Sequence, residues 1–338
     1  MKWLRVLVGS AVLLCASSVQ AQEIMLKVHH PLPPSSTAHE KVLEPWCAKL
    51  ALDSKNRIKC QIYPSMQLGG SVPQLYDQVK DGVVDVIWTV AGYSAGRFPQ
   101  LEVFELPFFM NNAESGSKAV WDYVQQYDAD EFKDVHPIAF HVHGGGVFSM
   151  IKKQIVHRSD LRGMKVRAPT RQTTKMLAAL GATPIGMPVP QVPEALSKGV
   201  IDGTLLPYEV MPALKVDELT KYHSGPDASQ PMIYTSVFII AMNKARYDSL
   251  PADLKKVFDA NSGIGLSGQL GRLFAEVEVI NKKKTGGVVN VISNQEIEEW
   301  KKVVQPVTDG WVEDANARGA DGKALLKAAH DLITKHSK

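Results

Sequence analysis

Apolar and polar positions along this chain follow two periods in turn. Ile24, Leu26 and Val28 alternate with polar residues and predict a strand ending at His29-His30; Ile58, Cys60 and Ile62 predict a second. Between them, Thr37-x-x-Glu40 reads as a capping box opening a helix to about Asp53, which Pro45 should kink or delay. Val83–Val90 is a mainly apolar run, suited to a buried parallel strand. A helix is expected over Ala113–Tyr127, then strands over Pro137–His143 and Val147–Lys152, separated by Gly144-Gly145-Gly146. A strand at Met164–Arg167 leads to a helix from Thr170 to Leu180 that stops at Gly181. Ile233–Met242 reads as a long strand, and Pro251 opens a helix predicted to run to about Lys284, roughly 50 Å. The four glycines in that helix call for close packing or a break. Val288–Ile292 and amphipathic helices finish the chain.

One unit of this alternation occurs twice. Val72–Asp85 reads VPQLYDQVKDGVVD and Val192–Asp202 reads VPEALSKGVID, each a helix, a glycine and a strand opening on an aspartate. The separation is too large for a solenoid period. It predicts an α/β protein of two similar lobes with mostly parallel sheets, a cleft between them, and a long helix spanning both. The expected division is 22–145 with 238–270 for the first lobe, and 146–237 with 271–338 for the second. The three glycines mark one crossover, and the strand Ile233–Met242 the return.

Composition narrows the setting. Lys2 and Arg5 precede the short apolar stretch Val6–Leu14, and Val19-Gln20-Ala21 offers small residues for cleavage. Residues 1–21 are therefore expected to be a secretory signal cut after Ala21, with a core too short to span a bilayer. Without Lys2 and Arg5 the balance is 36 basic to 35 acidic residues, which favours neither nucleic acid nor anionic membrane as partner. Cys47 and Cys60 remain; in an oxidising compartment they either pair, closing a helix-to-strand loop, or stay as two half-buried thiols.

Candidate chemistry sits at strand ends. Arg167 ends a predicted strand, where open α/β sheets bind ligands, and a guanidinium matches a carboxylate with two parallel hydrogen bonds. The alternative for Arg167 is a structural ion pair. Trp88–Tyr93 follows the strand of the first repeat and Leu205–Glu209 that of the second, so Trp88, Tyr93 and Tyr208 are candidates to wall an apolar pocket. His29-His30 ends a strand, which makes His30 a candidate cleft residue. His141-x-His143 has a spacing a metal can use but lacks a third ligand nearby, so no metal and no cofactor is expected. There is no Walker loop, Gly-x-Gly-x-x-Gly after a strand, or Cys-x-x-Cys.

Several segments together resemble the DctP-type solute-binding proteins of TRAP transporters. They are Tyr63-Pro64-x-x-Gln67-Leu68-Gly69-Gly70, Lys80–Asp85, Glu105–Phe108, Asp160–Arg167, Leu180–Ala182, Ala195–Gly203 and Met242–Lys244, in that order. The resemblance implies a type II-like, two-lobed periplasmic receptor that closes on an organic acid and delivers it to TRAP membrane permease subunits. It implies that Arg167 binds the carboxylate, that Val90 lines the cleft from the first lobe, and that Val189 and Leu206 line it from the second. Many relatives carry a second arginine where this chain has Gly146, and Glu-Asn-Pro where it has Leu205-Leu206-Pro207. Losing two polar contacts favours an aromatic or hydrophobic monocarboxylate or 2-oxo acid over a dicarboxylate or sugar acid. Arg97, Arg171 or the histidines are alternative sources of the lost contacts. A monomer is expected. The competing readings are a secreted enzyme using the histidines with a metal, and a two-lobed receptor serving another importer or a sensor kinase.

Overall fold

The computed structural model describes residues 23–338. The predicted signal segment, 1–21, lies outside the described residues. The chain first builds β1 (Ile24–His29), β2 (Ile58–Tyr63), β3 (Val86–Val90) and β4 (Val135–Val142). It then passes to β5 (Val147–Met150), β6 (Lys165–Ala168), β7 (Thr183–Gly186), β8 (Gly203–Leu206) and β9 (Tyr222–Pro226). It returns as β10 (Val237–Asn243) and adds β11 (Val288–Ile292). The first sheet has the order β2-β1-β3-β10-β4 and the second β11-β9-β5-β8-β6-β7.

The α/β units pair in parallel as expected: β1 with β2 and β3, and β6 with β7 and β8. Each sheet is nonetheless mixed. β10 runs antiparallel to β3 and β4, and β5 antiparallel to β8 and β9. β5 is the first strand of the second sheet, and β10 is the return to the first. All five residues of β3 and all seven of β10 are buried.

The repeated units have matching roles. Asp85 accepts from the Lys27 backbone N–H at 2.8 Å and donates its own N–H to the Lys27 carbonyl at 3.0 Å. Asp202 does the same to Lys165, at 2.8 and 2.7 Å. Gly82 and Gly199 take φ of +75° and +67°, the left-handed backbone that lets each helix turn into its strand. The duplication therefore fixes where each strand starts against its neighbour.

Two helix expectations need correction. Thr37 is helical itself (φ −52°, ψ −39°) and caps nothing. A π-helical segment, Ala38–Leu43, precedes the α-helix Glu44–Asp53, which Pro45 opens rather than kinks because its missing N–H is not needed in the first turn. The helix expected from Pro251 is two helices, Ala252–Ala260 and Ile264–Lys284, broken at Gly263 with φ +90°. The second is about 31 Å long. It packs on the helix Ala113–Tyr127 so closely that a side chain at Gly271 would overlap the Ala113 carbonyl. Its far half reaches the second sheet: Asn281 Nδ2 donates to the Glu209 carbonyl at 2.9 Å. The helix thus touches both lobes, from a later start than expected. The last helix, Gly322–His336, packs against Ala113–Tyr127 of the first lobe, whereas Asn294–Ala317 packs on Arg171–Leu180 of the second. Cys47 and Cys60 form a disulfide joining helix 44–53 to β2.

Candidate functional site

Arg167 is 2 % exposed at the end of β6, and no carboxylate among the described residues pairs with it. Its fork is held by acceptors that carry no net charge. Nε donates to the Met187 carbonyl at 2.9 Å, Nη1 to the Leu205 carbonyl at 3.0 Å, and Nη2 to the Tyr93 hydroxyl at 3.2 Å. A guanidinium has five N–H donors, so two remain. Tyr93 belongs to the segment after β3, so the third contact crosses between the lobes. The same hydroxyl accepts the Val189 backbone N–H at 3.1 Å. Having accepted twice, it retains its own proton to donate.

Arg167 faces a cavity between the two sheets. From the first lobe it is walled by Trp88, Val90, Tyr93 and Phe238, and from the second by Val189, Leu206, Pro207 and Val210. Trp88 and Phe238 stack with centroids 4.9 Å apart and planes 19° from parallel. These rings and the aliphatic side chains make an apolar slot with few polar groups: Arg167, Tyr93, His143, Ser236, Tyr234 and Glu209.

Six of the eight residues singled out from sequence meet here: Trp88, Val90, Tyr93, Arg167, Val189 and Leu206. His30 and Tyr208 do not. His30 lies behind Trp88, edge-on at 6.5 Å, where its Nδ1 accepts from Leu32 N–H and its Nε2 pairs with His39. Burial pushes it down to about 3, so it is neutral. Tyr208 turns away from the slot toward the His223 ring, at 5.6 Å. It is Glu209, one position on, that enters the cavity.

Sequence reasoning missed Tyr234, Phe238 and Glu209, and it considered His143 as half of a metal-spaced pair or, with the other histidines, as a substitute polar contact. His143 uses both ring nitrogens: Nε2 accepts the Ser236 N–H at 3.1 Å and Nδ1–H donates to the Gly144 carbonyl. Burial, opposed by the Gly144 hydrogen bond and aided by the Arg167 charge, pushes it down to about 4. His141 Nε2 accepts the Trp88 indole N–H at 2.9 Å. The pair is therefore committed to separate hydrogen bonds, and no group of three metal-ligating side chains occurs among the described residues.

Gly146 has a local reason. A side chain there would overlap the Tyr234 ring, which occupies the space beside it. The substitutes considered for a second arginine are engaged elsewhere. Arg97 pairs with Asp77 at 2.6 Å. Arg171 binds Glu102 at 2.6 Å, and Gln172 Nε2 joins the same carboxylate at 2.6 Å. Because Glu102 belongs to the first lobe and Arg171 to the second, this cluster clasps the lobes beside the slot. Nearby, Glu105 accepts the Val237 N–H at 3.0 Å and is pushed up to about 8 by burial.

Comparison with known proteins agrees with this geometry. The family model for bacterial extracellular solute-binding protein family 7, DctP, matches residues 28–314. A TRAP solute-binding protein from Rhodoferax ferrireducens T118, solved with copurified benzoate, is 50 % identical, with TM-score 0.92, covering 93 % of this chain and 98 % of that one. A marine-metagenome TRAP solute-binding protein specific for aromatic acid ligands, solved with 3-hydroxybenzoate, is 46 % identical, with TM-score 0.92, covering 94 % and 100 %. The C4-dicarboxylate-binding periplasmic protein DctP of Rhodobacter capsulatus is 27 % identical over 341 residues, 96 % of each chain.

Proposed function

This chain belongs to the DctP family of extracellular solute-binding proteins, TRAP receptors rather than enzymes, and from that premise we propose that it captures an aromatic or hydrophobic monocarboxylate or 2-oxo acid between its lobes. The observation that carries the reading is Arg167: a buried cation without a counter-ion, set at one end of an aromatic slot. A buried charge is unfavourable until paired. A ligand carboxylate supplies the pair, taking the two free guanidinium N–H groups and the Tyr93 O–H. The ring or chain behind it lies along Trp88, Phe238, Val189 and Leu206, with water expelled. Since Tyr93 comes from one lobe and Arg167 and Val189 from the other, the ligand gains its full set of contacts only when the lobes are together, and it thereby favours closure.

The relatives support an aromatic ligand over a dicarboxylate. The proteins 50 % and 46 % identical carry benzoate and 3-hydroxybenzoate, and the C4-dicarboxylate receptor is the more distant, at 27 %. Here Tyr234 occupies the space beside Gly146, and the slot offers a second carboxylate no second cation. The receptor works as an exported, periplasmic monomer, its signal removed after Ala21, and hands its ligand to TRAP permease subunits. The lobe division expected from sequence, 22–145 with 238–270 and 146–237 with 271–338, is kept except for the last helix, Gly322–His336, which packs on the first lobe. A thermal-shift panel of aromatic, aliphatic, dicarboxylic and sugar acids tests the assignment. Benzoate-like acids should raise Tm, and stabilisation by sugar acids or dicarboxylates alone would refute it.

A further inference from the structure

The slot contains a second polar group that carboxylate capture does not use. Glu209 is 5 % exposed and lines the cavity with Arg167. Its backbone is fixed at both ends by helix 264–284: its N–H donates to Glu278 Oε2 at 2.7 Å, and its carbonyl accepts from Asn281 at 2.9 Å. Thr37 of the first lobe is the one side chain that partly offsets the burial of its carboxyl. Oε1 has no partner among the described residues and is shut off from solvent. Buried polar atoms are nearly always hydrogen-bonded, so an unpaired one on a cavity wall points to a partner arriving with the ligand. None of the other polar groups lining the cavity, Arg167, Tyr93, His143, Tyr234 and Ser236, hydrogen-bonds to it.

We infer that Glu209 is a specificity-determining residue whose Oε1 pairs with a hydroxyl on the ligand's aromatic body, away from the carboxylate held by Arg167. The inference rests on the carboxylate reading above and names the substrate class more narrowly, as hydroxylated aromatic monocarboxylates. The surroundings agree. No cation pairs with Glu209, and Glu278 lies directly against its backbone, so burial holds Glu209 up at about 7 and Glu278 at about 8. In either protonation state the carboxyl can bond a hydroxyl, as acceptor or as donor. A second ligand carboxylate would meet this acidic group and no counter-charge, so the same residue rejects dicarboxylates.

The test is calorimetric titration of benzoate and of 2-, 3- and 4-hydroxybenzoate into wild type, Glu209→Ala and Glu209→Gln, with melting curves to confirm folding. Wild type should bind at least one hydroxybenzoate about tenfold more tightly than benzoate, the worth of one hydrogen bond to such a group. That ratio should fall to about one in Glu209→Ala and persist in Glu209→Gln, whose amide both donates and accepts. A wild type that binds benzoate but gives no hydroxyl an advantage overturns this inference alone, as does an advantage that survives Glu209→Ala. A wild type that binds none of the four acids overturns the carboxylate reading and this inference together.

Discussion

The Tyr93 hydroxyl stands 3.2 Å from Nη2 of Arg167, a contact made across the boundary between the lobes. The same oxygen accepts the Val189 N–H at 3.1 Å. One phenol therefore aims the guanidinium, ties the first lobe to the second, and keeps a proton for the ligand. Tyr93→Phe removes all three roles while leaving the ring in the slot. Affinity for an aromatic acid should fall about 10- to 100-fold, the range for one or two hydrogen bonds to charged groups. Isothermal titration checks this; an unchanged Kd would mean that Tyr93 is only a wall.

Gly146 and Tyr234 exclude each other's side chains. Gly146→Arg alone should destabilise the fold by about 1–3 kcal/mol and abolish binding of aromatic acids, because the new side chain starts inside the Tyr234 ring. Combining it with Tyr234→Ala should recover stability and shift preference toward dicarboxylates, since a second cation then fits. Melting curves and a ligand panel on the three proteins decide this. A single Gly146→Arg variant as stable as wild type would contradict it.

Stability should fall as pH rises above neutrality. Burial pushes Glu105 and Glu278 up to about 8 and Glu209 to about 7, from an ordinary 4.5, and raises Glu131 in the same direction. Each holds its proton more tightly folded than unfolded, so its contribution is lost as pH climbs from 4.5 through those values. His30 and His141 are pushed down to about 3 and His143 to about 4, again by burial, and they act in the opposite sense between there and 6.5. Above pH 6.5 the histidine contributions are complete and the carboxyls act alone. Tm of the unliganded protein should drop between pH 6.5 and 8.5; a rise over that interval would contradict the assignment.

The Cys47–Cys60 disulfide closes a short loop, with a sequence separation of 13. Chain-entropy arguments give such a loop about 3 kcal/mol. Replacing both cysteines with serine should lower unfolding free energy by about 2–4 kcal/mol in denaturant titrations and leave ligand affinity unchanged, because the bridge lies on the first lobe away from the slot. Equal stability with and without the bridge would contradict it.

Much of this architecture is legible in the sequence because local rules repeat in it. The twin Gly-to-Asp turns, the strand ends that follow them, and the Arg167 position all come from short-range pattern, and the slot forms where they point. What was not legible depends on long-range register. Phe238 enters the slot because β10 sets it opposite both Val90 and His141, pairings separated by more than 90 residues. Tyr234 enters with the segment leading into that strand. Tyr208 and Glu209 were exchanged because neighbouring residues after a strand point to opposite sides, and nothing in the local pattern says which side the cleft takes. The break at Gly263 was foreshadowed by the glycine content, but its place depends on a backbone angle of +90°.

The most direct test of the account is titration of benzoate into wild type, Arg167→Ala and Arg167→Lys. Wild type should bind one equivalent. Arg167→Ala, still folded by melting curve, should lose at least 100-fold in affinity, and Arg167→Lys should fall between them, keeping the charge but losing the fork. A folded Arg167→Ala that binds benzoate as wild type does would contradict the central claim that this buried, unpaired arginine holds the ligand's carboxylate.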